Sequence, residues 1–220
     1  MKRIVLIGAS GHAAVIIDAI EKRNKYQIAG LVDAAGAIGA TVLSYPILGC
    51  EEDLPSLLES HGIEAALVAI GDNWTRCQVV TRIKALLPDL SFATVIHPAA
   101  AVASSAEIGA GTVVMAGSVI NSRSRVGNFC IVNSGAVLEH DSELADFACL
   151  LPRAATGGDV SIGTHTAICM GANIMHGVSI GEHSVVGAGS TVLSDIPARV
   201  VAYGTPAKVI RFRTPGQKYL

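Results

Sequence analysis

Every sixth residue from Ile96 onward is a branched aliphatic: Val102, Ile108, Val114, Ile120, Val126, Val132, Leu138, Leu144 and Leu150. After Thr156 the series resumes with Ile162, Ile168, Ile174, Ile180, Val186 and Val192. Two residues before each runs a column of mostly small residues, including Ala106, Thr112, Ser118, Ser124, Cys130, Ser142, Ala148, Thr166 and Ser184, with Val160 and Val178 its bulkiest members. A period of six fits neither the 3.6 of a helix nor the simple alternation of a strand. It fits a short strand followed by a corner, repeated so that equivalent residues stack along a solenoid axis. Glycine follows the aliphatic residue at Gly109, Gly127, Gly163 and Gly181, with Ala145 in the missing place, a spacing of eighteen or three hexads. Three faces per coil make a triangular prism. One of its corners prefers glycine, through backbone angle or close approach.

Composition agrees with thin, repetitive stacking. Half of the 220 residues are hydrophobic, yet only 4% are aromatic and 23 are glycine, which argues against one large core built on aromatic area. A net charge of −2 gives no electrostatic footprint for nucleic acid or an anionic membrane. The five cysteines, Cys50, Cys77, Cys130, Cys149 and Cys169, are odd in number and form no C-x-x-C. Reduced thiols in the cytoplasm and no metal site are therefore expected. The apolar start, Ile4 to Ile7, is broken at once by Gly8, Ser10, Gly11, His12 and then Asp18, so it reads as neither signal peptide nor membrane span.

Residues 1–95 follow another pattern. Strands are expected over Arg3–Ile7, Ile28–Asp33, Ala65–Ile70 and Phe92–Ile96, and helices over Ala13–Lys22, Glu51–His61 and Thr75–Leu87. Alternating strands and helices imply a parallel sheet with right-handed crossovers, a Rossmann-like α/β domain. The turn Gly8-Ala9-Ser10-Gly11-His12 lies between strand and helix, where backbone N–H groups and a positive helix end attract phosphates. Asp33, about twenty residues on, stands where a ribose hydroxyl is often bound. A dinucleotide needs two such halves, so a domain of this size suits a mononucleotide better than NAD.

The [Ile/Val]-Gly-x-x-x-x repeats resemble those of the hexapeptide acyltransferases, whose coils are left-handed. Chain physics alone favours right-handed crossovers, so the hand is implied by the resemblance. Tyr203-Gly204-Thr205-Pro206-Ala207-Lys208-Val209-Ile210 resembles the G-x-P-A-K-x-[Ile/Leu] ending of that superfamily, after an Asp195-Ile196-Pro197 exit from the last coil. More narrowly, Gly8-Ala9-Ser10-Gly11-His12, Ile70-Gly71-Asp72-Asn73-x-x-Arg76 and Ile96-His97-Pro98 resemble, in order and over nearly the whole chain, one sugar acetyltransferase family. It is the NeuD/PglD type, which includes sialic-acid O-acetyltransferases and bacillosamine-pathway N-acetyltransferases. The resemblance implies a nucleotide-sugar domain at 1–95, contacting its ligand through Ser10, Gly11, His12, Asp33 and Gly71. It implies an acyltransferase left-handed β-helix at 96–220, a trimer with active sites between subunits, and acetyl-CoA as cosubstrate.

Acetyl transfer from a thioester needs a base for the attacking group and donors for the oxyanion. Histidine titrates near working pH, and the chain has seven. His165 and His183 fall at outward hexad positions expected to be solvated, and His176 falls near a corner. His140, within Glu139-His140-Asp141, has an adjacent carboxylate able to fix its tautomer, and the family motif E-H-[Asp/Glu] implies it as base with Asp141 assisting. The family carries a second histidine nine residues later, where this chain has Cys149, and Arg153 replaces a common glycine. A covalent acetyl-cysteine is disfavoured, because nothing beside Cys149 activates a thiolate. For the cofactor, the resemblance implies Cys149, Gly158, Met170, Gly187 and Ala188, with Gly171 in the same groove and Gly204 and Lys208 near its far end. Acceptor chemistry stays open between the amine of a nucleotide-linked 4-amino sugar and the hydroxyl of sialic acid or another sugar. A non-catalytic scaffold is opposed by Glu139-His140-Asp141.

Overall fold

The computed structural model describes residues 1–218. Two compact units divide after Pro98, Met1–Pro98 and Ala99–Leu220. The division falls beyond residue 95 because the strand Val95–Ile96 packs against the first helix.

In the first unit β1 (Lys2–Ile7) leads into α1 (Gly11–Arg23) and β2 (Tyr26–Val32). A hairpin of β3 (Thr41–Val42) and β4 (Tyr45–Gly49) follows, then α2 (Leu54–His61), β5 (Ala65–Val68), α3 (Asn73–Leu86) and β6 (Ser91–Phe92). The sheet order is β3-β4-β2-β1-β5-β6, parallel except for the β3–β4 pair. Sequence periodicity does not announce the hairpin, since β3 is two residues long and half exposed. Glu51–Asp53 forms a 3-10 turn, so α2 starts three residues later than expected, with Pro55 in its first turn where a missing N–H costs nothing. Ile4 to Ile7, and Ala65 to Val68, are buried on both faces and read as continuous apolar runs for that reason.

The second unit is the prism. Its two-residue strands pair in parallel with the residue eighteen positions on, Val119 with Val137 and Val113 with Ile131. Three faces result. Face 1 carries Ala101–Val102, Val119–Ile120, Val137–Leu138, Ala155–Thr156, Asn173–Ile174 and Thr191–Val192. Face 2 carries Glu107–Ile108 through Ser179–Ile180, and face 3 carries Val113–Val114 through Val185–Val186 and closes with the hairpin Val200–Gly204/Ala207–Phe212. From Val114 to Val192 the aliphatic column is 0–3% exposed, apart from Thr156 at 6%. Each such side chain contributes about 1.5–3 kcal/mol by burial, so stability accrues coil by coil. Hydroxyls of the small column bridge the coils: Thr166 Oγ1 donates to Gly181 O at 2.7 Å and accepts from Ser184 N at 3.2 Å. Backbone groups at the corners are thereby satisfied inside the core.

Every sixth residue from Gly111 to Gly189 has a positive φ, including Arg123, Phe129, Asp141, Phe147, Arg153, Asp159, His165 and His183. The left-handed turn thus recurs at all three edges and is imposed on ordinary side chains against their preference. The glycines eighteen residues apart answer a different demand. A Cβ on Gly163 would stand 2.5 Å from the backbone nitrogen of Glu182 in the next coil. Close approach, not backbone angle, keeps that corner glycine.

Candidate active site

Order in the first sheet reverses at β1, and the turns after β1 and β5 lie together at that switch point, where an open α/β sheet forms its crevice. Ser10 is the N-cap of α1 and its hydroxyl makes no cap bond, and the helix end opens on the turn. Asp33 is committed to the framework. Its Oδ2 accepts from Ala9 N at 2.8 Å and its Oδ1 from Ala35 N at 2.9 Å, fastening the glycine turn to the end of β2. Gly71 precedes Asp72, which caps α3 by accepting from Thr75 N at 2.8 Å.

Beneath these turns lies Arg76, 1% exposed, donating to Ile70 O at 2.9 Å, Gly71 O at 3.0 Å and Asn73 Oδ1 at 2.7 Å. Its guanidinium shapes the β5–α3 turn. Burial first, and the Arg76 charge second, lower the pKa of His12 to about 4. His12 is therefore a neutral imidazole at any working pH. Between pH 6.5 and 4 the unfolded chain takes up a proton that the folded chain refuses, so acidification across that window destabilises the fold. Urea denaturation from pH 7 to 4.5 should show the parent losing on the order of 2 kcal/mol more than His12→Gln. Parallel losses in both proteins would contradict this account of His12.

On the prism, edge 1–2 (between faces 1 and 2) carries Arg123, Asp141, Asp159 and Gly177 at its left-handed positions, one per coil. His140 precedes Asp141 there, its side chain 58% exposed. Nδ1 of His140 lies 2.8 Å from Asp141 Oδ2. Hydrogen bonds first from Arg123 and second from His140 hold the Asp141 carboxyl down at about 2. An ionised carboxylate only accepts, so the proton sits on Nδ1 and the Nε2 lone pair is left for chemistry. Gly158, one coil on, is glycine because of this ring: a Cβ there would lie 2.5 Å from Nε2 and would also strike Cε1.

Thr156, the one polar member of the aliphatic column, sits under the same site. In the other rungs from Ala103 to Gly187 the N–H following the aliphatic bonds a backbone carbonyl of the next coil. Glu139 N instead donates to Thr156 Oγ1 at 3.0 Å. The exception in the repeat therefore alters the ladder at the residue before His140. Beside this edge an open trough of about 570 Å³ runs along face 2, floored by Ser161, Ser179, Gly163 and Gly181 and bounded by Glu143 and Asp195.

The expected cofactor residues separate into three groups. Met170, Gly187, Ala188, Gly204 and Lys208 come together at edge 3–1 near the closing hairpin: Gly189 N donates to Met170 O, Gly187 N to Ala202 O and Gly204 N to Ser190 Oγ, while Lys208 pairs with Tyr203. Gly171 lies on that edge too. Gly158 belongs to edge 1–2. Cys149 departs from expectation, for it is 0% exposed on face 3, whose outward residues Val113, Ile131, Ala167 and Val185 are also buried. Burial, with Cys149 beside it, pushes the Cys169 thiol up to about 11. Cys149 presents no sulfur to a ligand. His165 and His183 depart likewise, stacking with Phe147 and Phe129 into a column along edge 2–3 with ring centroids 5.1, 5.1 and 4.5 Å apart. Arg153 leans back over Gly135, its Cγ 3.5 Å from where a Cβ there would lie. His176, two coils beyond His140 on edge 1–2, is exposed.

Arg123, Thr156 and Arg76 received no role from sequence, although two signals were present. Arg123 stands three hexads before Asp141, and Thr156 breaks the aliphatic column. Among the described residues no cluster of His, Cys, Asp and Glu could hold a metal ion, and no helix is long and apolar enough to cross a membrane.

Residues 3–83 match the family described as the PglD N-terminal domain, and residues 159–194 match the bacterial transferase hexapeptide (six repeats). PerB from Caulobacter crescentus, solved in complex with CoA and GDP-perosamine, is 38% identical with a TM-score of 0.89, over 96% of this chain and 98% of that one. The acetyltransferase domain of PglB from Neisseria gonorrhoeae, solved with acetyl coenzyme A, is 31% identical with a TM-score of 0.86, over 95% and 99%. A curated UDP-N-acetylbacillosamine N-acetyltransferase of Bacillus subtilis is 37% identical over 117 residues, which span half of each protein.

Proposed function

Because the chain belongs to the NeuD/PglD-type family of sugar acetyltransferases, we propose that it moves the acetyl group of acetyl-CoA to the 4-amino group of a nucleotide-linked amino-deoxy sugar. The observation that carries this reading is the His140–Asp141 pair, with Nδ1 held at 2.8 Å and the ring exposed at a prism edge. In the proposed reaction the neutral amine attacks the thioester carbonyl and the C–S bond breaks as the C–N bond forms. Nε2 of His140 takes the amine proton and returns it to the departing thiolate, so the ring ends neutral. Ionised Asp141 orients the ring and stabilises the transient imidazolium. With Cys149 buried, the oxyanion has to be met by other donors, backbone N–H among them.

Ser10, Gly11, His12 and Gly71 are proposed to meet the nucleotide at the switch point of the sheet. The nucleotide-linked sugars named for PerB and the Bacillus protein, GDP-perosamine and UDP-N-acetylbacillosamine, support the acceptor class. The separation of the cofactor residues supports a trimer. Met170, Gly187, Ala188, Gly204 and Lys208 stand on edge 3–1 of one chain, whereas His140 and Gly158 stand on edge 1–2. An extended pantetheine meets both sets when edge 3–1 of one subunit lies beside edge 1–2 of the next, a head-to-tail arrangement that we read as a closed ring of three. Small residues flooring the face 2 trough leave space for its uncharged arm. Five cysteines that form no disulfide among the described residues, and a nucleotide-linked acceptor, fit a cytoplasmic enzyme.

The test follows thiol release from acetyl-CoA with a panel of UDP-, dTDP- and GDP-linked amino sugars, with light scattering on the same sample. Release with at least one amino sugar, from a particle of three 22.6 kDa chains, is the expected result. Release with sialic acid and with no amino sugar would move the activity to O-acetylation. No release with either would remove the reading.

A further inference from the structure

Arg123 and Asp141 occupy the same left-handed slot on consecutive coils, with φ 59° and 58°. The register of the repeat therefore stacks their side chains. Arg123 Nε donates to Asp141 Oδ1 at 2.6 Å and its NH2 group to Oδ2 at 2.7 Å, and the same Oδ2 accepts from His140 Nδ1. The guanidinium fork matches both carboxylate oxygens. Arg123 is itself anchored where its backbone N donates to Ser105 Oγ at 3.1 Å. Arginine and aspartate side chains are 68% and 35% exposed, and an ion pair so exposed adds little to stability. Its consequence lies in what it does to the carboxylate that His140 depends on.

Resting on the acetyltransferase reading, we propose that Arg123 is a positioning residue which fixes the Asp141 carboxylate against the imidazole Nδ1 and takes up part of its charge, so that the ring is held with Nε2 turned to the reacting group. The other titratable groups along this edge are Glu139 and Asp141 beside His140, and Asp159 and His176 on the next two coils. Among the described residues Arg123 is the one cation that bonds directly to the orienting acid. Glu139 Oε2 faces the His140 backbone N at 3.3 Å rather than the ring. Removing the guanidinium leaves the whole Asp141 charge to the imidazolium and takes away a like charge, and both changes favour the protonated ring.

NMR titration of the histidine ring protons tests this without turnover, with His140 assigned by its loss in His140→Gln. Arg123→Gln should raise the His140 titration midpoint by about half a pH unit or more, with Arg123→Lys between it and the parent because one ammonium cannot span both oxygens. In the acetyl-transfer assay the acid limb of kcat/KM should move up by the same amount, and guanidinium ion should partly restore Arg123→Gln. An unmoved or lowered midpoint overturns the role of Arg123, whatever the activity. A raised midpoint in a protein that transfers no acetyl group leaves the electrostatic role standing and removes the acetyltransferase reading instead.

Discussion

Replacing His140 with alanine should lower kcat/KM about 10²- to 10⁴-fold, the usual cost of losing a general base, with the acceptor KM and the fold nearly unchanged. The ring is more than half exposed, so its removal opens no core cavity, and thermal melting is expected to stay within a few degrees. The other candidate bases are poorly placed to substitute. His12 is half-buried and holds its proton only below about pH 4, and His165 and His183 are spent in an aromatic stack. His176 lies two coils away along the same edge, beyond direct reach at roughly 4.8 Å per coil. Steady-state kinetics on the purified variant gives the answer. A kcat within about threefold of the parent would falsify the assignment.

Gly158→Ala should approach the same loss from a single added methyl. That Cβ would lie 2.5 Å from His140 Nε2, well inside van der Waals contact. Since Gly158 is buried and part of the coil backbone, the exposed ring yields first. Turning away costs the ring its 2.8 Å bond to Asp141 and with it the tautomer that leaves Nε2 bare. A drop in kcat of about 10²-fold is expected, since a displacement of one ångström at a reacting group has that order of effect. Because the change touches neither Ser10 nor Gly71, KM for the nucleotide sugar should hold. A crystal structure of the variant with the His140–Asp141 bond intact, or undiminished kcat, would refute this reason for the glycine.

How much of the site the sequence disclosed depends on the kind of contact involved. His140 and Asp141 are neighbours in the chain and could be paired by inspection. Arg123 and Gly158 stand eighteen residues to either side of them, and they become neighbours only when three hexads close a coil. The spacing and the inward and outward directions were available, but which corner residues turn left-handed, and which side chains then meet across coils, were not. Cys149 shows the difference most plainly. The resemblance implied a cofactor contact for it, because the family carries a histidine at that position. Yet the whole outward row of face 3 is buried, whereas the same row on face 2 is exposed. Periodicity gives direction relative to the axis and says nothing about what covers a face.

The repeat frame, with its aliphatic column, small column and eighteen-residue glycine spacing, determined a three-faced prism and a separate α/β unit before it, because both follow from local period and turn chemistry. It also determined that chemistry must project from the coils, since an unbroken frame from Ile96 to Val192 allows no long loop. Tertiary structure decided the rest. Stacking one coil on the next set the Arg123–Asp141–His140 relay, the glycine beneath the ring and the Thr156 hydroxyl under Glu139. These contacts join residues about three hexads apart, and their energies depend on distances of a few tenths of an ångström that the period of a sequence does not carry.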